Sequence, residues 1–461
     1  MNALFKRLLA LAAAFGLIAP MPAFATNGYF LIGFGAKSRA MGGVGVAYAQ
    51  DGLAAASNPA GMAAVKIDTM RVDMGAELFN PPRAFKQDSA ALENGFPGSN
   101  GAINHKSGSN LFLIPNMGMV YKFNRKMVVG MAAVGAGLGT RYDQTIPGNP
   151  TCMDGNTSAG SASTFFNFNC LGGPTVGVTL YQMQMLPSVA YKINKNHSVG
   201  LSVALAVQMF RAYGLQAFDA LGFAQSTSDL TNRGNDWSYG GGVRLGYLGK
   251  FFKGRLAFGV NYSSRVYMTK FDKYKNLFAE QGSFDIPENY AVGIAIKPTE
   301  KVTMAFDMQR ILYSDIRSVG NPGPDPASPN NFFPPGIGKL GNDNGLGFGW
   351  QDQWVYKFGV NYDFSQKWSF RAGTNYGKSP IPEDQVLFNS LAPATPEWHA
   401  TIGTSYRPNK NIEWSANFMH AFNNTIKGPT VFGPTAAPVQ GSNASIGMKQ
   451  YSLGISFAYK L

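Results

Sequence analysis

The side chains able to do chemistry are few. There are four histidines, His105, His197, His399 and His420, and two cysteines, Cys152 and Cys170. Nucleophilic catalysis needs a base placed beside a serine or cysteine and steered by an acid. One such set can be written, His399 with Ser405 and Glu413, but no Gly-x-Ser-x-Gly turn presents a nucleophile. His105 falls in a loop, His197 opens a strand and His420 closes one. No metal-ligand spacing is present. The expectation is a protein that is not an enzyme and carries no metal or cofactor. What remains is recognition by charge. Arg244, Lys357 and Arg371 could each hold a carboxylate, or pair with Asp307 or Glu413, depending on where they point.

Strands decide where they point. From Ile67 to the end, segments of roughly ten residues alternate apolar and small or polar side chains, as lipid-facing strands must. Val199, Leu201, Val203, Leu205 and Val207 alternate with Gly200, Ser202, Ala204 and Ala206; the last segment sets Tyr451, Leu453, Ile455, Phe457 and Tyr459 against Ser452, Gly454, Ser456, Ala458 and Lys460. By this phase Arg244, Lys357 and Arg371 face inward. About 14 such segments can be counted, an even number, and their connections alternate short and long. Asn124-Arg125-Lys126, Asn194-Lys195-Asn196, Pro298-Thr299-Glu300, Ser365-Gln366-Lys367 and Pro408-Asn409-Lys410 are the short ones. The predicted fold is all-β, a transmembrane antiparallel β-barrel spanning 66–461.

The first residues set the compartment. Lys6 and Arg7, the apolar run Leu8 to Ile18, and Ala23-Phe24-Ala25 read as a signal peptide over 1–25. Beyond it no apolar run of about 18 residues offers a transmembrane helix. Cys152 and Cys170 share a Gly/Ser/Asn-rich stretch. In an oxidising compartment a local disulfide is expected, closing a loop of roughly 20 residues for about 3 kcal/mol. The net charge of +13 is carried by scattered basic residues, which fits anionic outer-membrane lipid and lipopolysaccharide rather than nucleic acid.

Between leader and strands lies a Gly- and Ala-rich stretch, 26–65, with neither helical nor strand period. Its apolar residues, among them Tyr29, Phe30, Ile32, Phe34, Met41 and Val44, argue against a solvated tail. A barrel of about 14 strands is too wide to be filled by its own wall side chains. The stretch therefore reads as a plug, or hatch, inside the lumen.

The order Asn27-Gly28-Tyr29-Phe30, Gly33-x-Gly35-Ala36-Lys37, Met41-Gly42-Gly43, Asp51 and Asn58-Pro59-Ala60, followed by this barrel, resembles the FadL/TodX family of outer-membrane transporters for hydrophobic compounds. The likeness covers the whole mature chain in architecture, and its specific motifs lie in the first 40 mature residues. One departure is the final Leu461, where outer-membrane strands more often end in Phe or Trp. The resemblance implies a Gram-negative outer-membrane channel, a monomer, that passes hydrophobic small molecules without an energy source. Ligand lands in an apolar groove among outer loops, enters a lumen pocket against the plug, and leaves sideways through a gap near the third strand. Long-chain fatty acids are the first cargo; monoaromatic hydrocarbons, or export of oxidised fatty acids, are the runners-up.

Residues here match that route. The groove candidates are Leu215, Phe218, Leu221 and Phe223, with Tyr274, Leu277 and Phe278, exposed apolar residues at near-helical spacing. Phe112, Ile114, Leu186 and Phe210 offer an apolar lumen wall, and Arg244, Lys357 and Arg371 a carboxylate site. The lateral-gap candidates are Gly135, Gly137 and Gly139, flanked by Pro115 and Pro187, which cannot donate to a ladder. Asn58-Pro59-Ala60 is the gate motif.

Overall fold

The computed structural model describes residues 27–87, 103–142, 175–215, 217–220, 222–226, 228–325, 328, 333–429 and 443–461. Residues 1–26 and both cysteines lie outside the described residues. The strands are β1 (Met70–Asn80), β2 (Arg83–Gln87), β3 (Ile103–Lys106), β4 (Phe112–Lys122), β5 (Met127–Tyr142), β6 (Val176–Lys192), β7 (His197–Tyr213), β8 (Asp236–Phe251) and β9 (Leu256–Ser263). They continue as β10 (Tyr267–Met268), β11 (Asn289–Ile296), β12 (Val302–Ile311), β13 (Gln353–Tyr362), β14 (Trp368–Gly377), β15 (Trp398–Tyr406), β16 (Ile412–Pro429) and β17 (Asn443–Lys460).

All but β2, β3 and β10 form a closed ring of fourteen antiparallel strands. Each wall strand pairs with its neighbours in sequence, and β1 pairs with both β4 and β17. Closure gives every strand of the ring a paired neighbour on each side, which a lipid environment demands of strands. The short β2–β3 hairpin extends β17 beyond the ring.

One rim carries the tight turns. In three of them an asparagine side chain caps the turn. Asn124, Asn194 and Asn409 each accept from the two backbone N–H groups that open the next strand, at 2.8–2.9 Å. Ser365 does the same at 3.1–3.3 Å. Side chains that accept from their own downstream backbone fix turns locally. The other rim carries the long loops, and there several strands overrun the expected limits. β16 continues to Pro429 rather than His420, and β17 begins at Asn443 rather than Tyr451. These extensions lose the apolar alternation because Asn423, Thr425 and Lys427 no longer meet hydrocarbon.

Outward positions are exposed and apolar: Val199, Leu201, Val203 and Leu205 along β7, Leu453 and Ile455 along β17. Aromatic residues mark both ends of this band. Trp368, Tyr362 and Trp414 lie near the tight turns, and Trp237, Trp354 and Trp398 near the loops. Inward positions are small or polar and buried, as with Ser198, Ser202, Ala204 and Gln208. They are buried because Asn27–Val65 lies within the ring.

That inner segment is held by two kinds of contact. Against β1 and β14–β17 the contact is ionic. Glu413 on β16, 1% exposed, takes Lys37 of the inner segment together with Arg71 (3.5 Å), Arg407 (3.2 Å) and Lys460 (3.0 Å). Arg71 also grips Asp73 at 2.6 and 2.7 Å, and Asp73 accepts from the backbone N–H of Gly52. Arg39 pairs with Glu77 at 2.7 Å. Against β5–β8 the contact is apolar, with Leu53, Ala54–Ala56 and Met62 on Val134, Leu186 and Ala204. Leu186, expected as lumen pocket wall, is spent on this seat.

A buried charge left without its partners costs about 3–5 kcal/mol. Glu413→Leu is expected to destabilise the barrel by that order, because Lys37, Arg71 and Lys460 lose their shared anion. Urea unfolding of the refolded protein in detergent measures it; an unchanged midpoint would show that the cluster does not hold the fold.

Candidate functional site

The loop rim encloses an apolar cavity of about 540 Å³, its open mouth included. Leu138 of β5, Phe210 of β7, and Leu215 and Phe218 after β7 line it, with Leu277, Phe278 and Phe284 of the next loop and Leu346, Phe388 and Leu391 of later loops. No charged side chain is among its lining residues. The aromatic walls meet edge-on: Phe210 with Phe278 at 4.7 Å and with Tyr274 at 4.9 Å between ring centres. Phe218 meets Phe388 at 4.8 Å.

Four of the groove candidates, Leu215, Phe218, Leu277 and Phe278, thus line one cavity, and Phe223 and Tyr274 pack in the same cluster. Leu221 lies outside the described residues. They were expected exposed and are buried instead, because loops from different hairpins fold over one another and present apolar surface inward. Phe210 belongs to this cavity rather than to a deeper lumen wall. Phe112 and Ile114 do face inward, but they pack with Ile32, Phe79 and Met419 in a separate cluster.

The floor of the cavity meets the start of the inner segment. The Tyr29 ring meets those of Phe284 (5.9 Å), Tyr313 (5.4 Å) and Trp350 (5.8 Å) at tilted or edge-on angles, and Tyr313 donates from its hydroxyl to the Asn27 carbonyl at 2.6 Å. Burial raises the pKa of both phenols well above the usual value, so both stay neutral.

Beside this cavity the ladder between two wall strands is incomplete. The β4–β5 ladder stops at Asn116–Val134. Beyond it Phe112–Pro115 pair only with β1, and Gly135–Tyr142 pair only with β6, among the described residues. Pro115 sits where pairing ends. A second cavity of about 300 Å³ lies along this stretch, lined by Gly137, Gly139, Gly28, Trp350 and Arg83. It shares Leu138 and Leu391 with the loop cavity. Arg83, which nothing in the sequence singled out, donates to the Pro81 (3.1 Å), Ser109 (2.7 Å) and Gly139 carbonyls. Pro187 marks a smaller lapse: no pairing joins Leu186 and Pro187 to β7, while the ladder continues on both sides.

The three cations do not converge. Arg244 donates to the Ala56 carbonyl (2.6 Å) and to Gln184 (2.7 Å), and Arg371 to Gln50 (3.1 Å) and Ser405 (2.7 Å). Lys357 stands opposite Asp307, whose carboxylate accepts from Gly45 and Val46 N–H at 2.7 and 3.0 Å. Arg244 and Lys357 line a lumen cavity of about 420 Å³ with Phe30, Phe34, Asn261 and Asp307. Arg371 lies elsewhere. Inward phase could not reveal this, since the inner segment uses up most donors.

Asn58-Pro59-Ala60 is the tightest seat. The Asn58 amide donates to Val46 O (2.8 Å) and to Tyr247 O on β8 (2.9 Å), and its oxygen accepts from Ala60 N (3.0 Å). The wall makes room with glycine. A Cβ on Gly246 would strike the Asn58 side chain, and one on Gly200 the Pro59–Ala60 backbone. Likewise Gly118 receives the backbone of Gly52 and Gly373 that of Met41.

A closed fourteen-strand ring, filled by its own N-terminal segment and capped by an apolar loop cavity, defines an outer-membrane β-barrel channel. The chain belongs to the family described as outer membrane protein transport protein (OMPP1/FadL/TodX), whose model matches residues 155–460. Its fold is that of the P. putida toluene transporter TodX (TM-score 0.65, 16% identical, 94% of this chain and 99% of that one). The Ralstonia pickettii toluene transporter TbuX gives 0.58, with 17% identity over 94% and 99%. A Pseudomonas aeruginosa FadL homologue gives 0.61, with 14% identity over 96% and 99%. A Chlorobium limicola protein, an uncharacterized product from the 5' region of a phosphoenolpyruvate carboxykinase gene, is 46% identical over 65 residues. That match covers 14% of this chain and about a third (32%) of the relative.

Asn58→Ala leaves the Val46 and Tyr247 carbonyls without their donor, at about 1–3 kcal/mol each. It is expected to lengthen the open time of the barrel at least tenfold in single-channel recordings in planar bilayers, and unchanged traces would remove Asn58 from the seat.

Proposed function

We propose that the chain is a monomeric, passive channel that lets hydrophobic small molecules cross the outer membrane and leave sideways into the bilayer. In this reading 1–25 is a cleaved leader, 26–65 a movable plug and 66–461 the barrel. One observation carries it. The loop cavity and the wall cavity meet at Leu138 and Leu391, beside the stretch of β5 that has no ladder to β4. An apolar molecule caught among the loops therefore meets a mostly apolar surface on its way to the wall, with Arg83 the one charged residue lining the second cavity. Sideways release suits such a cargo, because entering water costs about 0.8 kcal/mol per methylene.

The cargo follows from charge. A carboxylate buried without partners is strongly disfavoured, and the loop cavity offers no charged partner. Arg244 and Arg371 are already engaged. This favours an uncharged cargo of the monoaromatic hydrocarbon class, the class named for TodX and TbuX. A long-chain fatty acid is the second reading, favoured by Arg244 and Lys357 together on the lumen cavity.

Uptake of labelled toluene and labelled oleate is measured in cells whose sole hydrophobic-compound channel is this barrel. Toluene is expected to enter, and Leu138→Trp to cut its entry about tenfold by filling the junction of the cavities. Oleate uptake that Lys357→Met abolishes would install the second reading. If neither compound enters faster than in cells lacking the barrel, the transport reading of these two classes falls.

A further inference from the structure

We infer that the lumen cavity between the inner segment and strands β8–β13 is a binding site for a small neutral aromatic alcohol of the phenol class. The inference concerns binding alone and stands apart from transport. Its basis is a set of buried polar groups that the protein leaves without partners. Lys357 on β13 is 8% exposed, and its ammonium makes no hydrogen bond and no ion pair among the described residues. Asp307 on β12 is 1% exposed. Its Oδ2 takes the Gly45 and Val46 N–H groups, and its Oδ1 has no hydrogen-bond partner in the protein. Asn261 on β9 is 4% exposed. Its amide N–H reaches Ser263 Oγ at 3.3 Å, and its amide oxygen has no partner. All three residues line the one cavity.

Sheet register explains the hollow. Asp307 pairs with Lys357 on one side and with Gly293 on the other, and Asn261 pairs with Ala291. Gly293 and Ala291 are successive inward residues of β11, both buried, so the strand between Asn261 and Asp307 brings almost no side chain into the lumen. Strand geometry puts the Cα atoms of Asn261 and Asp307 roughly 12 Å apart across it. Two other polar residues of the lining are engaged: Arg244 by the Ala56 carbonyl and Gln184, and Gln309 by Asn289 at 3.0 Å. Phe30, Phe34 and Val46 of the inner segment supply the apolar side.

The count of donors and acceptors selects the ligand. A buried polar group without a partner is costly. The cavity offers one free donor, Lys357, and two free acceptors, Asp307 and Asn261. A hydrocarbon satisfies none of them. A carboxylate accepts from Lys357, but it meets Asp307 with like charge and gives Asn261 nothing. A hydroxyl serves both kinds, since it accepts from an ammonium and donates to a carboxylate or amide oxygen. The rings of Phe30 and Phe34 suit an aromatic body beside that hydroxyl, because aromatic pairs gain beyond the area they bury. Phe30 also forms the wall shared with the loops. Its ring meets Tyr29 at 5.6 Å and Tyr313 at 5.9 Å on the floor of the loop cavity, and it lines the lumen cavity as well.

The test is fluorine NMR of the refolded barrel in detergent at about pH 7, where a phenol is neutral. A protein-bound signal of para-fluorophenol is expected. Fluorobenzene and para-fluorobenzoate are expected to displace it at least tenfold less well than para-cresol does, because a site built for a hydroxyl rejects analogues that lack one. Lys357→Met is expected to weaken para-fluorophenol binding at least tenfold, and Asn261→Leu severalfold. The displacement series uses the unaltered chain, so it decides even where a variant fails to refold. Equal displacement by fluorobenzene, better displacement by para-fluorobenzoate, binding that both variants leave unchanged, or no protein-bound signal would overturn the assignment. Toluene uptake without phenol binding fells this inference alone, and phenol binding without uptake of any compound fells the transport reading alone.

Discussion

A ring of fourteen strands encloses more space than its own side chains can fill, and everything else in this chain answers that fact. Filling the lumen with chain brings backbone N–H and C=O groups into a place without bulk water, so each needs a partner. The wall supplies them from inward side chains: Asp307 for Gly45 and Val46, Asp73 for Gly52, Thr401 for Gly42, Arg244 for the Ala56 carbonyl. This is why the lumen face is polar although it is buried. It is also why most of the cations there serve the inner segment.

The seat is uneven around the ring. On the side of β1 and β14–β17 it is ionic, centred on Glu413. On the side of β5–β8 it is apolar and close. The open stretch of the β4–β5 ladder falls on the apolar side, under the loop cavity. On the packed side no ion pair holds the segment among the described residues, and that side lies next to the incomplete β4–β5 ladder.

Much of the barrel could be read beforehand because lipid imposes a strict period. Every outward residue of β7 must be apolar, so the alternation from Val199 to Leu205 was plain. It fades where β16 and β17 leave the bilayer, so the pattern ends β16 too early and starts β17 too late. The loop cavity was half legible. Leu215 with Phe218, and Tyr274 with Leu277 and Phe278, show helical spacing, whereas Phe284, Leu346, Phe388 and Leu391 follow no period that joins them. Only the folding of four loops together gives them a common purpose. The cation candidates had the correct face and mistaken company, because phase along a strand says nothing of what fills the lumen. Arg83 and the partnership of Lys37 with Glu413 depend on contacts between distant parts of the chain, which no local pattern records.

The glycines where wall and inner segment touch amount to a footprint. Gly118, Gly200 and Gly373 are bare because backbone lies against them, and Gly246 because the Asn58 side chain does. A side chain at any of these places would push the segment off its path, so the wall sequence carries a trace of the route taken by a different part of the chain. In any barrel of this build, inward glycines aligned with these four mark a segment threaded along the same line, and bulky residues there mark one that runs elsewhere.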